Sequence, residues 1–391
     1  MREVWITGMG AVTGSGLGTA PLADALRVGR SAVRRQASGP EWAAPVMMPE
    51  TGREAKRLDR SAQLFLAAAQ EAWAEAGLQG DRFDPFRIGL FEGSSLGPMG
   101  AIIEESRCPG STASPARARR LARLMTGAGG ATFAQTYGIR GPVLHLSAGS
   151  VASAAALGEG FWQVATGRLD LVVAGGGEAT LHPDVAATFR VAGILGASDD
   201  WPCRPFDRRR NGTVLGEGAG AFVLEAAEHA RRRGAERRAT VLGYACVTES
   251  HGFVAPDPDG TGVSDAARAA LEIAGRPRLA WIKAHGTGTL TNDLAECRGL
   301  SQLLGPVLET VPLTSLKSTV GHCLGASAAI EAAGAMLAMR DSIVPATVGT
   351  EEPDPALPPC RVATEPIWAA SGAVLLLAES FGGRCAALVI E

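Results

Sequence analysis

Aromatic residues are scarce in this chain of 391 residues: they make up 5% of it, and only 2 are tyrosine. A nucleic-acid surface that interleaves aromatic rings with basic side chains therefore has little to draw on, and a formal net charge of −3 gives no general attraction for a polyanion. Cysteines at metal or redox spacing are missing too. The 7 cysteines (108, 203, 246, 297, 323, 360 and 385) are scattered without a C-x-x-C pair, which points to reduced thiols in a cytoplasmic protein. No apolar run approaches the ~18 residues of a membrane span, and MREVWITGMG enters a strand-like pattern directly, without the apolar core of a signal peptide.

Glycine, in contrast, is abundant. Its 50 residues, with 46% hydrophobic and 20% charged content, describe a globular chain whose backbones approach closely. The length is generous for one simple core and suggests two fused halves. Strand-like runs (VWITGMG, RIGLFEG, PVLHLS, LDLVVAGGGEA) alternate with helical segments, as in α/β architecture. After Arg238 the pattern restarts with ATVLGYACVTES, continues through LAWIKAHGTGT and VPLTSLKS, and closes on GAVLLLAESFGGRCAALVIE, two strands around a Gly-rich turn. The expected domains are 1–238 and 239–391. Both halves hold a strand, a turn and a helix of small residues: VLHLSAGSVASAAALGEGFWQVATG and VPLTSLKSTVGHCLGASAAIEAAGAMLAM. Such helices have no solvent face and are predicted to be buried together, their N-termini at a shared pocket. The Pro-rich, acidic stretch 348–361 reads as a surface loop.

Four stretches carry chemistry. In KAHGTGTLTNDLAE, His285 follows a strand and precedes a Gly/Thr turn, where α/β sites form, and Asp293 and Glu296 sit in the first turns of the next helix, able to anchor that turn. A buried, satisfied histidine is the plainer reading. In SLKSTVGHCLGASAAIE, Lys317, His322 and Glu331 stand in an otherwise small or apolar run. Buried together, they must be paired, as an ion-pair network or an acid/base cluster. Ser150 lies at the strand-to-helix turn of LHLSAGSVASA, where many enzymes mount a nucleophile. RPFDRRRNGTVLGEGAG reads as a tight, mainly structural turn. GMGAVTGSG misses the dinucleotide fingerprint, with Thr13 in the place of the third glycine. GSSLG matches the hydrolase elbow, with Ser95 as a rival nucleophile. Arginine runs at 117–123, 208–210 and 231–238 are solvated faces or docking sites for an acidic partner.

Taken in order, LSAGSVASA, VVAGGGEA, RPFDRRRNGTVLGEGAG, KAHGTGTLTNDLAE, LKSTVGHCLGASAAIEA and the closing SFGG resemble the β-ketoacyl synthases of fatty-acid and polyketide biosynthesis. The resemblance covers essentially the whole chain. It implies a thiolase-like fold, two duplicated halves in an α/β/α/β/α layering, dimers formed through the first halves, an acyl carrier protein as partner, and no bound cofactor beyond the carrier's phosphopantetheine. It also implies that His285 and His322 are the histidine pair that assists malonyl decarboxylation, with Lys317 and Glu331 supporting them and Asp293 and Glu296 behind the first. Arg117, Arg120 and Arg208 become candidate carrier contacts. Ser150 stands where the family has its acyl-accepting cysteine. A serine hydroxyl is a far weaker nucleophile, so ordinary condensation is expected to be impaired. The gate loop is also short: Phe381, Gly382 and Gly383 remain, preceded by Glu379 and Ser380. Three readings follow: a decarboxylase or acyl-transfer enzyme using Ser150, a chain-length-factor-like partner of a true ketosynthase, or a condensing enzyme whose cysteine was exchanged by engineering. Outside the family, a Ser95 hydrolase and a non-catalytic scaffold remain.

Overall fold

Side chains along the strand Leu171–Ala179 alternate between two apolar clusters: Val172 and Ala174 face one, Leu171 and Val173 the other. The strand Leu215–Ala226 divides Phe222 and Leu224 from Ala221 and Val223 in the same way. In the second half, Val374 and Leu376 share the first cluster with Leu388 and Ile390, while Leu375, Leu377 and Val389 join a third. A strand apolar on both faces must be covered on both, and this pattern generates layers. The computed structural model describes residues 1–37, 39–48, 57–78, 83–107, 121–197 and 201–391.

The central cluster is filled by the two small-residue helices, Ala152–Ala165 and Ser327–Arg340, lying between the two parts of the sheet. One outer layer carries the helices Arg60–Glu75 and Ala128–Tyr137, the other Thr261–Ile273 and Leu290–Leu304. The result is the α/β/α/β/α arrangement. Asp59 starts the first of these outer helices by accepting the Ser61 and Ala62 N–H groups.

Strand order repeats between the halves. The first runs 143–146, 88–93, 171–179, 215–226, 4–13 across the sheet; the second runs 312–314, 279–283, 373–380, 384–390, 239–248. Numbered within each half, both are 3-2-4-5-1. In both, strand 2 is parallel to strands 3 and 4, and strand 5 is antiparallel to strands 4 and 1. The halves meet where their first strands pair antiparallel over Val4↔Val241, Trp5↔Thr240 and Ile6↔Ala239. The duplication read from two similar sequence stretches is thus a repeat of the whole topology.

Glycine makes the docking of the halves possible. A Cβ on Gly220 would lie 2.6 Å from the backbone of Ala329, and one on Gly158 would lie 2.0 Å from the ring of Tyr244. Among the described residues no helix is long and apolar enough to cross a membrane.

Candidate active site

Ser150 sits in a single 3-10 turn, Gly149–Val151, that leads into the buried helix Ala152–Ala165. Gly149 has φ +64, and a Cβ there would lie 2.1 Å from Ser380 Oγ, so the turn demands glycine. The Ser150 hydroxyl is 3.3 Å from His322 Nε2. His322 Nδ1 is 2.9 Å from Ser327 Oγ, at the start of the second buried helix. With the proton on Nδ1 and donated to Ser327, the Nε2 lone pair faces the Ser150 hydroxyl. With the other tautomer, Nε2–H donates outward.

His285 and His322 lie edge to face, ring centroids 5.6 Å apart. His285 is held from below: its backbone N–H and that of Gly286 both donate to the Glu296 carboxylate, the second at 2.8 Å. Asp293 accepts from Gly288 N–H at 3.1 Å and Phe206 N–H at 2.8 Å. The two acidic residues thus anchor the turn, as their spacing suggests. Beneath the rings, Lys317 Nζ donates to the His285 carbonyl at 2.7 Å, lies 3.2 Å from His285 Nδ1, and pairs with Glu331 at 2.7 Å. Lys283 pairs with the other Glu331 oxygen and donates to the Leu377 carbonyl. Two buried ammonium groups therefore share one carboxylate, a combination stable only because every partner is present. Burial first, and the Lys317 charge second, push both histidines well below the usual imidazole range, so they are neutral at physiological pH. Burial lifts Glu296 to about 7 and Asp293 to about 6, against their backbone hydrogen bonds.

Ser150, His285, His322, Glu379, Ser380, Phe381 and Gly383 line one cavity of about 420 Å³. A larger hollow of about 560 Å³, bordered by Arg276, Leu303, Arg361 and Trp368, contains none of the acid–base groups. Chemistry rather than size therefore selects the first. The gate segment is a three-residue hairpin, Phe381-Gly382-Gly383, between paired Ser380 and Arg384, with both glycines at positive φ. Its consequence is unexpected: the backbone N–H of Ser150, the donor that would hold an oxyanion, donates to Ser380 Oγ at 2.9 Å.

Ser95 lines the same cavity, but its N–H donates to Glu178, as do Ser94 Oγ, Leu96 N–H and Gly325 N–H. Among the described residues no histidine hydrogen-bonds its hydroxyl, so the GSSLG turn is a strut rather than a nucleophile mount. Arg208 is exposed but ion-paired with Glu352 at 2.7 Å. Arg209 pairs with Glu351, and Arg210 is buried against Asp354. The charges of this run are thus partly balanced by acidic neighbours, while Arg208 remains exposed. Arg117 and Arg120 lie outside the described residues. Sequence reasoning missed Lys283, Ser327, Glu178 and the inward role of Ser380. A charged or hydroxyl residue ending an apolar strand, as in LAWIK and LLLAES, was the available signal. Among the described residues no group of three or more His, Cys, Asp or Glu is placed to hold a metal ion.

The sequence pattern of the β-ketoacyl synthase N-terminal domain matches residues 1–230, and that of the C-terminal domain matches residues 238–351. The chain belongs to the β-ketoacyl synthase family. Relatives within this family include a "Putative polyketide beta-ketoacyl synthase 1" of Streptomyces halstedii, 32% identical over 100% of this chain and 98% of the relative. Another is the "Tetracenomycin polyketide synthase ketoacyl synthase alpha subunit" of Streptomyces glaucescens, 34% identical over 90% of this chain and 88% of the relative. A solved β-ketoacyl synthase from Burkholderia phymatum STM815 superposes with TM-score 0.89 at 30% identity, covering 100% of this chain and 99% of that one. "The ishigamide ketosynthase/chain length factor" gives 0.88 at 28%, over 100% and 98%. The thiolase-like ketosynthase fold is therefore shared across the whole chain, and family membership places it among condensing or transferase enzymes.

Proposed function

We propose that this ketosynthase-family protein decarboxylates a malonyl group borne on the phosphopantetheine arm of an acyl carrier protein, and that it does not carry out cysteine-type condensation. Its two halves, 1–238 and 239–391, contribute Ser150 and the histidine pair respectively. The observation that carries this reading is the contrast within one cavity. The neutral pair His285 and His322, with Lys317 and Glu331 beneath, is complete. The nucleophile's backbone donor, meanwhile, is taken by Ser380. The histidine N–H groups hold the thioester oxygen as it gains charge, the type of preorganised donation that stabilises an enolate. Carrier-protein partnership is supported by a solved relative of TM-score 0.90 and 26% identity, described as a ketosynthase in complex with its type II polyketide acyl carrier protein. Pairing with itself or with another ketosynthase-type subunit is supported by the ketosynthase/chain length factor neighbour.

One observation favours a second reading, acyl transfer through Ser150: its hydroxyl already faces His322 Nε2 at 3.3 Å, the geometry of an activated nucleophile. Intact mass spectrometry on the protein mixed with malonyl- or acyl-charged carrier separates the two. Conversion of malonyl-carrier to acetyl-carrier, retained in Ser150→Ala, supports decarboxylation. An acyl adduct on the protein that vanishes in Ser150→Ala establishes transfer. No change in either molecule points to a non-condensing partner subunit, which the intact histidine pair argues against.

A further inference from the structure

Glu379 is the penultimate residue of the strand Ala373–Ser380 and lines the cavity with Ser150 and both histidines. Its residue surface is only 6% exposed, and its Oε1 is fully buried without a hydrogen-bond partner. Among the described residues its carboxyl takes part in no hydrogen bond or ion pair. A buried polar group left unpaired is costly, so its position needs an explanation. The neighbouring carboxylates do not share the anomaly: Glu296 and Asp293 accept backbone N–H groups, and Glu249 accepts that of Asp257. Burial, then the charges of Glu296, Glu249 and Asp293, pushes the Glu379 carboxyl well above the ordinary carboxylate range, with Lys317 opposing. Glu379 is thus shifted toward its neutral acid form, with a proton to donate and, among the described residues, no acceptor for it.

We infer that Glu379 is the general acid of the site, delivering its proton to the α-carbon of the enolate left by decarboxylation. This rests on the decarboxylation reading above. The bond between the α-carbon and the carboxylate breaks and carbon dioxide leaves. The bonding pair becomes an enolate whose oxygen the histidines hold. The enolate pair then takes the Glu379 proton to form the new C–H bond and restore the carbonyl. The Glu379 carboxylate regains its proton from bulk solvent, the one proton that the overall conversion of malonyl to acetyl and carbon dioxide consumes. The other lining groups are poor candidates. The histidines are neutral, so their N–H groups donate hydrogen bonds but are weak acids. Burial raises the Cys385 thiol and makes it a weaker acid than a free thiol. With the Ser150 N–H occupied by Ser380, no acyl-enzyme stands ready to consume the enolate, and protonation is its remaining fate.

The test follows acetyl-carrier formation from malonyl-charged acyl carrier protein, by intact mass, with the full chain. Glu379→Gln exchanges one neutral group for another of the same shape. It is expected to slow the reaction about 100-fold, the contribution of a positioned acid, with no fall in melting temperature. Glu379→Ala is expected to be as slow and to recover as undissociated acetic acid is added, a response that a structural role would not give. Parent-like rate in Glu379→Gln overturns the assignment. So does slowness of Glu379→Ala that added acid leaves unchanged, and so does insolubility of both variants, which would assign a structural role. If the parent itself releases no acetyl-carrier, the decarboxylation reading fails and takes this assignment with it.

Discussion

At the scale of single residues, Ser150 differs from a cysteine nucleophile in its atom and in its surroundings. Restoring the sulfur alone leaves its N–H bonded to Ser380 Oγ. Ser150→Cys is therefore expected to take an acyl group from acyl-carrier at least tenfold more slowly than Ser150→Cys with Ser380→Ala, since one oxyanion donor is worth roughly 10²–10³; the rate of adduct formation by mass spectrometry measures it. The histidines give a pH signature. Their folded values lie below the unfolded value of 6.5. Below about 6.5 the unfolded chain binds a proton that the folded chain does not, and stability falls as pH drops. Glu92, Glu178 and Glu296, raised to about 7, act in the opposite sense between their unfolded value and pH 7. A difference against His285→Asn removes them. Between pH 7.5 and 5.5 the parent is expected to lose about 1 kcal/mol more unfolding free energy than this variant, measured by urea titration. The residues that bear the motifs were readable because each is polar in an apolar run, as Lys317 and Glu331 are. Glu379 and Ser380 were seen only as departures from a gate loop. Their roles depend on which side of the strand faces the cavity, and a short hairpin register decides that.

At the scale of elements, the two buried helices were legible from composition alone, because a helix of small residues with little charge has nowhere to go but inside. Their exact depth was not legible. It follows from contacts between sequence-distant backbones, Gly220 against Ala329 and Gly158 against Tyr244, and a single chain carries no local signal for such pairs. Gly220→Ala is expected to cost about 2 kcal/mol or more, because the obstacle is backbone and cannot rotate away; chemical denaturation checks it. The shared carboxylate is a sharper case. Glu331→Gln leaves Lys283 and Lys317 buried without a counter-charge, and about 3–5 kcal/mol of stability should go with it. The helices Arg60–Glu75 and Ala128–Tyr137 escaped the sequence reading because their apolar residues, mostly alanine, glycine and phenylalanine, gave less contrast than the β-runs around them.

At the scale of the whole molecule, alternating strands and helices made the α/β class and the duplication legible, while the matched strand order required the pairing itself. One outer edge of the sheet is the strand Val143–Leu146, paired on one side only, with Val143 and Leu144 exposed. An open apolar edge invites a second chain, and the ketosynthase dimer reading places the partner on this half. Leu144→Lys is expected to shift the protein from dimer to monomer in sedimentation velocity, with the monomer still folded by circular dichroism. The same strand order bears on how the chain is made. The hairpin of 373–380 and 384–390 lies not at a margin but between 279–283 and 239–248. The second half therefore has a gap through its middle until both of those segments have left the ribosome. Synthesis has to run to residue 390 before the cavity that Ser150, both histidines and Ser380 line can close. A nascent chain halted before the second strand of this hairpin would hold both histidines and Ser150 and still lack a closed sheet beneath them, so the pocket forms only after the residues that do its chemistry have all been made.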